Sequence, residues 1–220
     1  MIQLVIGGAR SGKSRYGEAR VAEFSAEGQE CIYLATALAF DQEMRERIKR
    51  HQLDRSHARQ VANQTASQTT DQASPPVNWQ LIEQPLYVAE SLLTLDKPNQ
   101  TIFIDCLTLY LTQHLCRDAE QINFVEPPLS APLVHTSHDS AYPSLSSHWQ
   151  EQKQRLLEVL PKLQSNVILI SNEVGSGIVP MGELSREFVD EAGWLNQAVA
   201  AIADGVTLVV AGIPMTLKGQ

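Results

Sequence analysis

Ile2-Gln3-Leu4-Val5-Ile6-Gly7-Gly8-Ala9-Arg10-Ser11-Gly12-Lys13-Ser14 sets a short apolar run, a glycine-bounded loop and a Lys-Ser pair in immediate succession. It reads as strand, phosphate-binding loop and helix. Gly7 and Gly12 fit the spacing G-x-x-x-x-G-K-[ST], in which residues without a Cβ let successive backbone N–H groups curl around an anion. Lys13 is then placed to reach the terminal phosphates of a nucleotide, and Ser14 to bind Mg²⁺. A helix starting around Lys13 and running to Ala26 would aim the positive end of its dipole at the same point. A glycine turn in an ordinary βα unit would leave the adjacent Lys13-Ser14 unexplained.

Outward from this loop, strand and helix patterns alternate. Glu30–Ala35, Trp79–Glu83, Thr101–Asp105, Asn166–Ser171 and Val206–Val210 read as strands, and Leu86–Leu95, Leu107–Leu115, Trp149–Leu163 and Leu184–Ala203 as helices. Such alternation predicts a single α/β domain of the P-loop NTPase, RecA-like kind, with a mostly parallel sheet and helices on both faces. Ligands of such sheets bind at the carboxyl ends of the strands, so Thr36-Ala37 and the glycine-bearing Asn172–Pro180 are expected at the pocket edge. Two polar stretches interrupt the pattern, at 60–78 and 118–147. Both are read as surface insertions, because neither can bury much apolar area.

The formal charge of −8 argues against a generic nucleic-acid binder, since no basic run offers counterion release. Cys31, Cys106 and Cys116 are odd in number and lack metal-ligand spacing, so reduced thiols in the cytoplasm are expected. No signal-peptide pattern precedes the first strand, and no apolar run reaches the length of a transmembrane span. His135, His138 and His148 lie close together, but their spacing matches no tight metal site.

Two further features bear on chemistry. Asp105 closes an apolar strand downstream of the phosphate loop, the place where an acid holds Mg²⁺ directly or through water. In the helical pattern Asp41 to Arg55, the residues Glu43, Arg47, His51 and Arg55 recur at intervals of four and so share one face. Arginines can stabilise phosphate charge, and a neutral imidazole can attack phosphorus. Periodicity alone favours a solvated charged face with an idle histidine.

Taken together, Gly7 to Arg15, Tyr33 to Ala37, Asp41 to Ile48 with His51, Ile104-Asp105-Cys106-Leu107-Thr108, Asn172 to Pro180 and Ala192-Gly193-Trp194-Leu195-Asn196-Gln197 resemble the bifunctional adenosylcobinamide kinase/adenosylcobinamide-phosphate guanylyltransferase family of cobalamin biosynthesis. The motifs follow in one order from Met1 to Lys218 and skip only the polar insertions. The resemblance implies phosphorylation of adenosylcobinamide by ATP or GTP. GMP then passes from GTP, through a guanylyl-histidine, to adenosylcobinamide phosphate. It gives the His51 face a purpose and reverses the preference for an idle histidine.

Some family members carry adjacent histidines where this chain has Arg50-His51, which leaves His51 as the nucleophile. The family's arginine-proline step is Arg55-Ser56 here, so positions beyond Arg55 are less firmly matched. The resemblance implies nucleotide contacts at Gly8, Ala9, Arg10, Ser11, Gly12, Lys13, Ser14, Arg15, Ala35, Thr36, Ala37, Gln52, Leu53, Asp54, Arg55, Glu83 and Asp105. It assigns His51 and Lys13 to catalysis and Ser14 and Asp105 to Mg²⁺, and implies a homotrimer. Two readings compete with it: a kinase for another small molecule, with His51 idle, and a regulatory or motor ATPase that moves a partner.

Overall fold

The computed structural model describes residues 1–37, 77–115, 145–178 and 180–219, without the side chains of 145–147. The expected helix at Asp41 to Arg55 and the bulk of both polar insertions lie outside the described residues. The described elements run, in chain order, β1 (Ile2–Gly7), α1 (Lys13–Ala26), β2 (Glu30–Ala35), β3 (Trp79–Glu83), α2 (Val88–Leu95), β4 (Gln100–Asp105), α3 (Leu107–Leu115), α4 (Leu145–Val159), β5 (Asn166–Asn172), α5 (Glu183–Ile202), β6 (Gly205–Val210) and β7 (Ile213–Lys218). The strands form one seven-stranded sheet in the order β3-β2-β4-β5-β1-β6-β7.

Every pairing from β3 through to β6 is parallel. The central strands β4 and β5 are buried along nearly their whole length, which is why Thr101–Ile104 and Val167–Ile170 read as continuous runs, mostly β-branched, without alternation of polar and apolar residues. Side chains on the two faces enter two cores. Leu4, Leu34, Ile104 and Leu169 pack with α2 to α5, whereas Val5, Phe103, Ile168 and Ile170 pack with Val21 and Ala22 of α1. The mostly parallel sheet with helices on both faces is therefore as expected, with the helices unevenly shared.

Gly17 explains how closely α1 lies on its face. A Cβ there would come within 2.7 Å of both Ile170 Cδ1 and Phe103 Cε2. Only a residue without a side chain lets the helix that follows the phosphate loop seat so near β4 and β5.

Most expected elements are found with ends shifted by one or two residues, and larger departures from the sequence reading occur at three places. β7, antiparallel to β6, is absent from that reading, because Pro214 within Ile213–Lys218 demotes the run as a strand. As an edge strand beyond a two-residue turn, it tolerates the proline. Ala211 and Gly212 take φ of 52° and 81°, the left-handed pair that a tight hairpin turn requires. Helix α4 starts at Leu145, inside the expected insertion, and ends at Val159. Leu160–Lys162 is a 3₁₀ turn because Pro161 has no N–H to continue the helix. Val77, assigned to the first insertion, is buried in the core beside α1.

Candidate active site

Register brings the predicted residues to one edge of the sheet. Glu83 lies beside Ala35, Ala35 beside Asp105, and Asp105 beside Ile170. Gly7 lies beside Asn172. The strands' carboxyl ends therefore form a continuous rim, and the loop Gly8–Gly12 rises from it directly after β1.

The loop is shaped by its own backbone and by the β6–β7 turn. Ser11 N–H donates to the Gly8 carbonyl at 3.2 Å and Gly212 N–H to the Ser11 carbonyl at 2.7 Å. Gly12 has φ 95°, and a Cβ there would stand 3.2 Å from Gly212 Cα. The positive φ favours glycine, and the close approach of Gly212 leaves little room for a Cβ. A Cβ on Gly7 would meet the Val209 carbonyl at 2.5 Å and Ser11 Oγ at 2.6 Å. Ser11 thus turns its hydroxyl inward beneath the loop, and its N–H is taken up by the Gly8 carbonyl.

Helix α1 begins with no side-chain cap and no acidic residue in its first turn. The orphan N–H groups and the positive dipole end consequently face outward from the loop, which is the arrangement an anion needs. Gly8, Ala9, Arg10 and Arg15 are exposed, and Gly12 and Ser14 half-buried.

Lys13 is buried, at 8% exposure, and its Nζ donates to the Gly8 carbonyl at 3.1 Å. Burial lowers the ammonium's pKa, and the attraction of Cys106 and Asp105 partly offsets this. A desolvated ammonium interacts with phosphate charge far more strongly than one in water. Ser14 and Asp105 are both oxygen donors of the hard type that Mg²⁺ prefers, and a single carboxylate plus hydroxyl suits a cation that takes its other ligands from phosphates and water. The residues present fit Mg²⁺. Among the described residues no cluster of three or more His, Cys, Asp or Glu could hold a metal by protein ligands alone.

The rim beneath is cross-linked in ways the sequence did not disclose. Thr36, fully buried, accepts from Cys106 N–H at 2.9 Å and donates to the Cys106 carbonyl at 2.8 Å. Its hydroxyl is engaged within the protein, whereas Ala35 and Ala37 on either side are half-buried and open in part to solvent. Asn172 Nδ2 donates to Thr108 Oγ1 at 2.8 Å, and Asn196 Nδ2 to the Asn172 carbonyl at 3.1 Å. Asn196 of the Ala192–Gln197 element therefore holds the start of the 172–180 loop from α5. Cys106 is buried, and burial with the nearby Asp105 charge pushes its thiol up to about 11. It is an unreactive packing group.

Glu83 is exposed at the end of edge strand β3. Four strand spacings separate β3 from β1, about 19 Å. Glu83 and Ala35 to Ala37 thus lie at the far end of the rim from the phosphate loop, suited to a different part of a ligand from its terminal phosphates. His51, Gln52, Leu53, Asp54 and Arg55, together with Cys116, His135 and His138, lie outside the described residues.

The pattern of the cobinamide kinase / cobinamide phosphate guanyltransferase family matches residues 3–217. The chain is 38% identical to the bifunctional adenosylcobalamin biosynthesis protein CobP of Pseudomonas aeruginosa, over 100% of this chain and 99% of that protein. It is 30% identical to the bifunctional adenosylcobalamin biosynthesis protein CobU of Escherichia coli and 32% to that of Salmonella typhimurium, in each case over 99% of this chain and 100% of the relative. Among solved structures, a KaiC-like protein of the hyperthermophilic archaeon Pyrococcus horikoshii superposes with a TM-score of 0.41 at 12% identity, covering 94% of this chain and 69% of that one, too distant to bear on chemistry. With the family pattern matched along nearly its whole length, the chain belongs to the cobinamide kinase / cobinamide phosphate guanyltransferase family.

Proposed function

We propose that this chain transfers the γ-phosphate of ATP or GTP to the aminopropanol hydroxyl of adenosylcobinamide. It then transfers GMP from GTP, by way of His51, to the phosphate so formed. The observation that carries the phosphoryl half is the uncapped start of α1, wrapped by Gly8–Gly12, with buried Lys13 holding its ammonium against the Gly8 carbonyl of that loop. Family membership over the full chain supports the acceptor and the second half.

In the first step the substrate hydroxyl attacks the γ-phosphorus, the bond to the β-bridging oxygen breaks, and nucleoside diphosphate leaves. The backbone N–H groups of the loop and of α1's first turn hold the β- and γ-phosphates. Lys13 adds positive charge where negative charge shifts toward the bridge. Ser14 and Asp105 would hold Mg²⁺, which would supply compact positive charge against the negative charge of the transferring phosphate. In the second step the His51 imidazole displaces pyrophosphate from the α-phosphorus of GTP. An oxygen of adenosylcobinamide phosphate then displaces the histidine, giving adenosylcobinamide-GDP and free imidazole. Covalent storage divides one difficult displacement into two.

A homotrimer belongs to the same reading. It is supported by apolar side chains that the described residues leave uncovered: Ile178 at 97% exposure and Met181 at 96%, with Leu184 following on α5. Among the described residues no helix is long and apolar enough to cross a membrane.

The test is to incubate the protein with adenosylcobinamide, Mg²⁺ and GTP and separate the corrinoids by chromatography. Successive appearance of adenosylcobinamide phosphate and adenosylcobinamide-GDP is expected. GTP hydrolysis without any new corrinoid would overturn the proposal in favour of a regulatory or motor ATPase.

A further inference from the structure

Asp105 does not stand alone at the end of β4. Tyr33, in the neighbouring strand β2, donates its phenolic hydroxyl to Asp105 Oδ2 at 2.6 Å. Tyr33 sits opposite Phe103, two residues before Asp105, so the phenol points along the sheet face toward the carboxyl end and reaches the carboxylate diagonally. The ring itself is held from two sides. Its centroid is 5.2 Å from that of Phe103 and 5.6 Å from that of Trp79, the latter edge-on at 81°. Trp79 and Phe103 are in turn 5.7 Å apart. Tyr33 is buried. A tyrosine packed this way has little rotational freedom, and its hydroxyl is a fixed point from which a carboxylate can be aimed.

We propose that Tyr33 is a positioning residue for the divalent cation: its hydroxyl fixes the plane of the Asp105 carboxylate by engaging Oδ2, which leaves Oδ1 as the oxygen offered to the cation or to its bound water. This rests on the reading that Asp105 holds Mg²⁺. It goes further by making the aromatic trio Tyr33, Trp79 and Phe103, none of them at the rim, part of what sets cation affinity. A free carboxylate must give up its rotation on binding, whereas one already held by a rigid donor does not, and loss of such outer support weakens metal binding by about 10- to 100-fold in known sites.

The test uses the full chain with a non-hydrolysable GTP analogue and Mn²⁺ as the probe, free Mn²⁺ being read by its electron paramagnetic resonance signal. Tyr33→Phe keeps the ring and removes the hydroxyl. It is expected to weaken Mn²⁺ binding about tenfold and to leave metal-free binding of the analogue unchanged. The Mg²⁺ concentration for half-maximal phosphoryl transfer should rise by the same factor, with kcat at saturating Mg²⁺ preserved. Asp105→Asn should lose Mn²⁺ at least as severely. If Asp105→Asn loses Mn²⁺ but Tyr33→Phe binds it as the parent does, the phenol is only a satisfied buried group and the proposal fails while the metal reading stands. If Asp105→Asn also binds Mn²⁺ normally, the metal reading fails and the proposal with it. Should Tyr33→Phe not fold, Trp79→Leu carries the test by loosening the ring. It is expected to weaken Mn²⁺ binding in the same direction, and unchanged affinity there would overturn the proposal.

Discussion

Lys13 shows the conflict between stability and chemistry at a single residue. Its ammonium is buried against the loop, and burial holds its pKa below the ordinary value of 10.5. The folded state therefore binds that proton less tightly than the unfolded chain, and its contribution to stability improves as pH rises from the lowered pKa toward 10.5. At neutral pH the charge is a cost that a phosphate would offset. Lys13→Met removes the charge but keeps most of the volume. It is expected to melt no lower than the parent, since replacing a buried charge by an apolar group of similar size is often neutral or stabilising. Phosphoryl transfer should fall by about 10²- to 10³-fold. Calorimetry and a kinase assay on the same preparation check both halves.

The residue scale is also where sequence reading reaches furthest and stops soonest. Gly7, Gly12, Lys13 and Asp105 are recognisable because their chemistry is local: a turn needing glycine, a cation beside it, an acid ending a strand. The partners of Thr36 and Tyr33 are not, because each lies 70 or 72 residues away. Only strand register brings such pairs together.

Among the elements, α1 is seated by what Gly17 lacks. Gly17→Ala would gain about 1 kcal/mol of helix propensity. It would also place a methyl 2.7 Å from Phe103 and Ile170, and overpacking of this kind costs about 1–3 kcal/mol. The packing term is the larger, so the variant should lose roughly 1 kcal/mol net, read as a melting temperature lower by about 2–4 °C. A raised melting temperature would mean that α1 can move away from β4 and β5.

Helices α4 and α5 are joined by Glu191, which accepts from Trp149 Nε1 at 2.6 Å, Gln150 Nε2 at 2.7 Å and Lys153 Nζ at 2.8 Å. Burial would raise this carboxyl, but those hydrogen bonds and the Lys153 charge outweigh it and hold it below 4.5. With the folded pKa depressed, the stabilisation is complete above the unfolded value and is lost as pH falls through the folded one. Glu191→Gln should be about 2 kcal/mol less stable at neutral pH and should show a shallower loss of stability than the parent on acidification. Melting curves between about pH 7 and pH 3 measure both. Helix existence is legible here from apolar periodicity. The ends of these elements are not, because Pro161 and the turn at Ala211-Gly212 act through backbone geometry that a hydrophobic pattern does not record.

At the scale of the molecule, the sheet order carries most of the functional meaning. Inserting β5 between β1 and β4 sets Asp105 two strand spacings, about 10 Å, from the strand that launches the phosphate loop. Placing β2 and β3 beyond β4 carries Ala35, Ala37 and Glu83 to the opposite end of the rim. Alternating strands and helices in the sequence imply a parallel sheet, but not this order, since order depends on which strands pair across long connections. The histidine that the family resemblance marks for guanylyl transfer follows β2 in the chain.

The most direct measurement is incubation of the protein with Mg²⁺ and GTP labelled on the α-phosphate, followed by mapping of protein-bound label by mass spectrometry. Acid-labile, base-stable label on His51, absent from His51→Ala, is the predicted result. Folded protein that binds GTP yet takes up no label, or takes it up at another residue, would contradict the account.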